Sequence, residues 1–359
     1  MNKEPRKNIT INTDLDDIDI LDSQYSQKYK EISDKLQQIS LTSKSLPSYE
    51  LLLGNKAGNC LSKGSFGTIK TFTPDKKKVI KESSAIFIVD SLTNKKSLEI
   101  VDQIYNLLDD VEMEPQNMFK FSELNSLFPN NILKIYSHSR SKSFQYYQDN
   151  YIMDRIYGTD LTDYPIDHSN DLCFEGNVIS LFIQSIYVMA YSNINGYFHN
   201  DLKGNNLMVS SESIQALRYK ELILGEYRIL IDIFGKHINI IKVVDYGNSK
   251  NIKKKNLVPI EISTLCSVFK LCFKDYVSDE IYNLFNIFDV YIQEACDCGI
   301  TTWMRNNVSL STIDMYESLE KLNEYTTNIL LQCFKFMKQY IEKSNKTLQP
   351  YISIKIEHV

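Results

Sequence analysis

The first 45 residues contain no run of apolar positions that a helix or strand could bury, because Asp14, Asp16, Asp17, Asp19 and Asp22 interrupt every short apolar cluster. Such a segment cannot offset the entropy of ordering a chain, and the pattern predicts a disordered, polar and acidic tail over 1–45. From Leu51 the texture changes. Cys60, Leu61, Gly64, Phe66, Gly67, Thr68 and Ile69, then Val79 and Ile80, form short strand-like runs broken by glycines and Lys-rich turns, which predicts an antiparallel sheet. Residues 96–108 and 119–128 carry apolar side chains at helical spacing, and 131–136 and 147–153 return to a strand-like texture. Beyond Gly158 the pattern is mainly helical, and residues 178–192 are apolar on most sides, as a buried helix is. The predicted class is α+β, with a sheet-and-helix region over 46–153 and a mainly helical region over 154–359.

A chain of 359 residues with 43% hydrophobic and 24% charged positions has globular composition and the length for two lobes. The formal charge of -5 provides no broad positive field for a polyanion, so no nucleic-acid partner is expected. Seven scattered cysteines, of which only Cys296 and Cys298 are close in sequence, lack the paired spacing of a zinc site. The longest apolar stretch, 178–190, is too short to span a bilayer, and the first residues lack the apolar core of a signal peptide. These features predict a soluble protein of a reducing compartment, the cytoplasm.

The residues that carry chemistry begin with His199-Asn200-Asp201-Leu202-Lys203-Gly204-Asn205-Asn206, after the buried helix and before the apolar Leu207-Met208-Val209. A carboxylate that accepts a hydroxyl proton and, five residues on, an amide oxygen that holds a metal suit phosphoryl transfer. This segment resembles the catalytic loop of eukaryotic-type protein kinases, H-R-D-L-x-x-x-N, at every defining position but one. Val243-Val244-Asp245-Tyr246-Gly247 resembles the D-F-G segment, in the Tyr form seen in vaccinia-related kinases. Upstream, Leu61-Ser62-Lys63-Gly64-Ser65-Phe66-Gly67-Thr68-Ile69 is similar to the glycine-rich loop, with Ser62 in place of the first glycine. Val79-Ile80-Lys81-Glu82 resembles V-A-I-K, and Ile152-Met153-Asp154-Arg155-Ile156-Tyr157-Gly158 resembles the hinge.

The resemblance covers roughly residues 55 to 275 and implies a two-lobed protein-kinase-like fold, with an N-lobe of antiparallel sheet plus helix and a mainly helical C-lobe. It implies ATP and Mg²⁺ as cofactors, Asp201 as catalytic base, Lys203 on the moving phosphoryl group, and Asn206 and Asp245 on the metal. It also implies Lys81 on the α- and β-phosphates. Ser62, Gly64, Ser65, Gly67 and Ile69 would cover the nucleotide, with Met153 as gatekeeper and Asp154 and Ile156 flanking adenine. The acidic partner of Lys81 is open between Glu123 and Glu99. The Asn-, Lys-, Ile- and Tyr-rich flavour of the chain is similar to Ser/Thr kinases of large DNA viruses, poxviruses included.

Four departures bear on function. Asn200 replaces the Arg that would read an activation-loop phosphate, so activation by loop phosphorylation is not expected. Asp201 and Asp245 are 245 − 201 = 44 residues apart, which predicts an insert at about 210–238 whose Leu and Ile residues pack on the larger lobe. There is no A-P-E, and Glu261-Ile262-Ser263-Thr264-Leu265-Cys266, which resembles the start of the central C-lobe helix, begins only 261 − 245 = 16 residues after Asp245. Lys250, Lys253, Lys254 and Lys255 crowd this short segment, either as a solvated face or as a reader of acidic or already phosphorylated substrates. The expected function is a Ser/Thr protein kinase, the alternatives being a pseudokinase scaffold and a small-molecule kinase.

Overall fold

The computed structural model describes residues 7–12, 57–64, 67–91, 114–143, 146–251, 260–296, 312–344 and 351–359. The chain is α+β, with an antiparallel sheet in its N-terminal part and helices later. It divides into two units, Met1–Phe119 with Lys134–Arg155, and Lys120–Leu133 with Ile156–Val359.

The first unit is a sheet in the order Ala57–Gly64, Gly67–Phe72, Lys78–Ser91, Tyr146–Asp154, Ile135–Ser143, antiparallel at every step. The strand Lys7–Asn12 adds to Lys78–Ser91 in parallel, and the rest of the expected 1–45 tail lies outside the described residues. A tight turn joins Gly67–Phe72 to Lys78–Ser91. Asp75 closes it: its N–H donates to Phe72 O (3.1 Å) and its Oδ1 accepts the Lys77 N–H (2.9 Å). That N–H, with Lys78 beside it, pulls the exposed Asp75 carboxyl below its usual range. Period-2 alternation sorts the strand Lys78–Ser91 into two faces, so Val79, Lys81 and their cross-strand partners Met153 and Tyr151 lie together. The helix expected over 96–108 falls outside the described residues.

The second unit is built around the helix Phe174–Ile194, of which Val178 to Ala190 is buried throughout. Losing a large side chain there, as in Ile186→Ala, costs about 2–5 kcal/mol. The Gln184 amide ties the helix to a strand, donating to Asn239 O (2.8 Å) and accepting from Ile241 N (3.2 Å). That strand, Ile238–Val243, pairs with Leu207–Glu212, which pairs in turn with Gly158–Asp160. Gly158 permits this approach: a Cβ there would lie 1.9 Å from Val209 O.

Helices Ile260–Phe273, Asp279–Cys296 and Thr312–Ser344 supply the helical part of this unit, but 207–243 is mostly strand. The segment read as an insert forms its own sheet. Tyr227–Phe234 is its centre; Ala216–Arg218 and Leu222–Leu224 lie along one edge, and Tyr351–His358 along the other. Leu217, Leu222, Leu224, Ile229, Ile231, Ile233, Ile352 and Ile354 all point inward and are buried. The Tyr187 hydroxyl holds this sheet to the long helix, 2.6 Å from Lys220 O and 2.9 Å from Ile229 O. Among the described residues no helix is long and apolar enough to cross a membrane.

Candidate active site

The loop 199–206 is anchored at both ends by backbone. Gly196, at φ 84°, reverses the chain after the long helix, and the short strand Tyr197–Phe198 pairs with Lys250–Asn251. At the other end the turn Gly204–Asn206 leads into Leu207–Glu212. Leu207 faces Val243, and the Val244 N–H donates to Asn206 O (2.9 Å). Asp201, Asn206 and Asp245 are thereby gathered at one end of a single ladder. Gly204 fits a tight seat, since a Cβ there would come within 2.3 Å of Thr162 Oγ1 and 3.1 Å of Cys272 Sγ.

Side chains then organise the carboxylate. Asn206 Nδ2 donates to Asp201 O (2.7 Å) and Oδ2 (3.0 Å), and Lys203 Nζ donates to the same Oδ2 (2.8 Å). With its Nδ2 turned to Asp201, Asn206 keeps Oδ1 as a lone-pair donor. Asn206 Oδ1 and the Asp245 carboxylate are hard oxygen ligands of the kind Mg²⁺ takes when phosphates complete its shell. Among the described residues no group of three or more His, Cys, Asp or Glu side chains forms a self-contained metal site.

Two residues here have left-handed backbone, Asn200 (φ 60°) and Asp245 (φ 65°), the non-glycine examples among the described residues. Such conformations cost on the order of 1–2 kcal/mol, least for Asn and Asp, and persist where neighbours hold them. Glu261, only 6% exposed, accepts the Asn200 N–H (2.6 Å) on Oε1 and Asn193 Nδ2 (2.6 Å) on Oε2. Burial pushes the Glu261 carboxyl above its usual range, and these donors pull it back. His199 is fully buried, and burial holds its imidazole below the ordinary histidine value. Its Nε2 donates to Val244 O (2.8 Å) while Nδ1 accepts the Asp201 N–H (3.3 Å), which requires the neutral Nε2–H tautomer. Beside it Phe121 stacks on Tyr246 (centroids 4.6 Å apart) and meets the His199 ring edge-on (5.6 Å). The Tyr246 hydroxyl accepts the Leu133 N–H (2.7 Å) and donates to Val243 O (2.5 Å), two bonds a Phe would lack.

In the first unit Lys81 is the lysine buried among the described residues, at 8% exposure, on the central strand between Ile69 and Tyr151. Tyr151 stacks on His138 (4.9 Å), whose Nε2 lies 2.7 Å from Oδ1 of the buried Asp149. Glu82, the next residue, points to the opposite face and pairs with Lys70 (2.8 Å). The glycine-rich segment is a hairpin closed by Gly64 opposite Gly67, with Ser62 opposite Ile69; Ser65 lies outside the described residues. Met153 is buried opposite Val79. Asp154 accepts the Lys134 N–H (3.0 Å) and the Tyr136 hydroxyl (2.8 Å), a bond that pushes the Tyr136 phenol up to about 12.

Ile156, Glu123 and the loop 199–206 belong to the second unit. Glu123 is exposed in a short 3₁₀ turn and accepts from the Tyr197 hydroxyl at 3.5 Å, whereas Glu99 and Lys253 to Lys255 lie outside the described residues. Sequence reasoning missed Asn193, Phe121 and the acceptor role of Glu261. Only Glu261 carried a signal, as an acidic residue opening an apolar helix. The chain matches no known family model and no curated protein.

Proposed function

We propose that this protein is an ATP- and Mg²⁺-dependent phosphotransferase of the protein-kinase type, acting in the cytoplasm on Ser/Thr hydroxyls of a protein substrate. The observation that carries this reading is the Asp201–Lys203–Asn206 cluster, tied by the Asn206 O to Val244 N bond to the strand that delivers Asp245. Asp201, with Lys203 and Asn206 fixing Oδ2, presents a carboxylate of set orientation to accept the hydroxyl proton as the oxygen attacks phosphorus. Lys203 lies beside that carboxylate and balances charge on the transferred group. Asn206 Oδ1 and Asp245 would hold Mg²⁺, whose chemistry is to neutralise the β- and γ-phosphate oxygens. Lys81, buried on the central strand of the first unit, stands where the resemblance to V-A-I-K would put a lysine on the α- and β-phosphates. The intact Lys81, Asp201, Asn206 and Asp245 favour an enzyme over a scaffold.

A second reading, a small-molecule kinase, is favoured by the 16 residues from Asp245 to Glu261 (261 − 245), too few for an ordinary peptide platform. The test is incubation with labelled ATP, Mg²⁺ and a panel of basic and acidic proteins, followed by phosphoamino-acid analysis. Asp201→Asn is expected to lower turnover by roughly 10² to 10⁴ with the melting temperature unchanged. Undiminished turnover in that variant would overturn the assignment.

A further inference from the structure

Asn200 fills the position next to the proposed base, and its contacts reach the neighbouring loop. Its N–H donates to Glu261 Oε1 (2.6 Å) and its Nδ2 donates to Asn248 O (3.2 Å). Asn248 ends the short turn Tyr246–Asn248 that follows Asp245, and the Ser249 N–H closes that turn on Tyr246 O (3.0 Å). The residue before Asp245 is held equally firmly: the Val244 N–H donates to Asn206 O, and Val244 O accepts His199 Nε2. Asp245 is thus bracketed. Its preceding peptide is fixed by Asn206 and His199, and the end of the turn after it by the Asn200 amide.

From this we propose that Asn200 is a positioning residue that sets the orientation of the Asp245 carboxylate for its cation, through the carbonyl of Asn248. The inference rests on the phosphotransferase reading for its consequence in turnover, though not for the tie itself. The residue type suits the task. At φ 60° a long or β-branched side chain is strained, glycine is free, and asparagine is the residue that combines tolerance of this backbone with a donor amide. The donor is uncharged. It needs neither a phosphate nor low salt, and so the loop carrying Asp245 is organised by the unmodified chain.

Two substitutions separate the amide from the backbone. Asn200→Gly keeps the left-handed conformation and the N–H to Glu261 and removes only the side-chain donor. Asn200→Asp keeps size and backbone preference but sets a carboxylate against the Asn248 carbonyl. Two readouts are taken: amide hydrogen exchange over residues 246–251 without nucleotide or metal, and the Mg²⁺ concentration giving half-maximal phosphorylation. For Asn200→Gly, faster exchange over that segment is expected, with a half-saturating Mg²⁺ concentration raised roughly 3- to 10-fold, the worth of one hydrogen bond. KM for the acceptor should be unchanged, and Asn200→Asp should show the larger effect. Unaltered exchange and Mg²⁺ dependence in Asn200→Gly, with active wild type, would overturn the inference and leave the kinase reading standing. Faster exchange in the variant of a wild type that transfers no phosphate would support the tie and remove the kinase reading. A KM for the acceptor that rises in step with the Mg²⁺ requirement would show general loosening of the loop and would also overturn the proposal.

Discussion

Replacing Glu261 by Ala removes the one carboxylate that accepts both the Asn200 N–H and Asn193 Nδ2, each at 2.6 Å. Both donors are then left without it, at a cost of about 1–3 kcal/mol each, or roughly 2–6 kcal/mol together. Part of this is returned, because the Glu261 carboxyl is itself strained by burial, as its raised pKa shows. A net loss of about 2–4 kcal/mol is expected, which for a domain of this size lowers the melting temperature by roughly 4–16 °C. Glu261→Gln keeps one oxygen for Asn200 but turns an amide donor toward Asn193 Nδ2, so its loss should be about half as large. Asn193 cannot relieve this by flipping, since its Nδ2 also donates to Tyr197 O (3.0 Å). Thermal unfolding of wild type, Glu261→Gln and Glu261→Ala should fall in that order, and hydrogen exchange at Asn200 should rise in the same order. Melting of both variants within about 2 °C of wild type would refute the view that this carboxylate holds the loop.

Gly158→Ala should destabilise the protein severely, because its Cβ would lie 1.9 Å from a backbone atom, Val209 O, whereas Gly225→Ala makes only an ordinary contact, 3.8 Å from Thr327 Cγ2, and should cost only the strain of φ 59°, about 1–2 kcal/mol; equal melting temperatures would contradict the close approach. His199 is held neutral below its ordinary value of 6.5, so its contribution is complete above that pH and declines as pH falls toward its native value, by up to about 1.4 kcal/mol per pH unit. Denaturant midpoints from pH 7.5 to 5.5 should therefore slope less in His199→Gln than in wild type, and parallel slopes would refute the reasoning. Deleting 351–359 uncovers the edge of Tyr227–Phe234 and removes the buried Ile352 and Ile354. Lower melting temperature or aggregation in size-exclusion chromatography is expected, and a truncated protein as stable as the full chain would show the strand to be dispensable.

The cluster in the loop 199–206 was legible because its members lie within one short stretch: Asp201, Lys203 and Asn206 meet through contacts within five residues. The parts that hold this stretch in place were not. Asn193 and Phe121 gain their roles from partners 261 − 193 = 68 and 246 − 121 = 125 residues away, and no local pattern encodes such pairings. The sheet of 216–234 and 351–358 was within reach, since Ile229, Ile231 and Ile233, like Ile352, Ile354 and Ile356, alternate with polar or outward-facing residues at period 2. A mainly helical reading of 154–359 passes over that alternation. The antiparallel pair Ala57–Gly64 and Gly67–Phe72 was legible as strands, bounded by Gly64 and Gly67.

The pairing of Tyr227–Phe234 with Tyr351–His358 also sets an order of birth. Val243 can meet Leu207, and Ile238 can meet Glu212, once 36 and 26 further residues have been made (243 − 207 and 238 − 212). Phe234 waits for Tyr351, 117 residues later, and Tyr227 for His358, 131 residues later. At ~5–20 residues per second on the ribosome, that interval is roughly 6–26 s. During it an apolar strand has one unpaired edge, the arrangement most open to pairing with a wrong neighbour. A nascent chain halted before residue 351 would therefore carry the ladder that joins Asp201, Asn206 and Asp245 already formed, next to a sheet still waiting for its outermost strand.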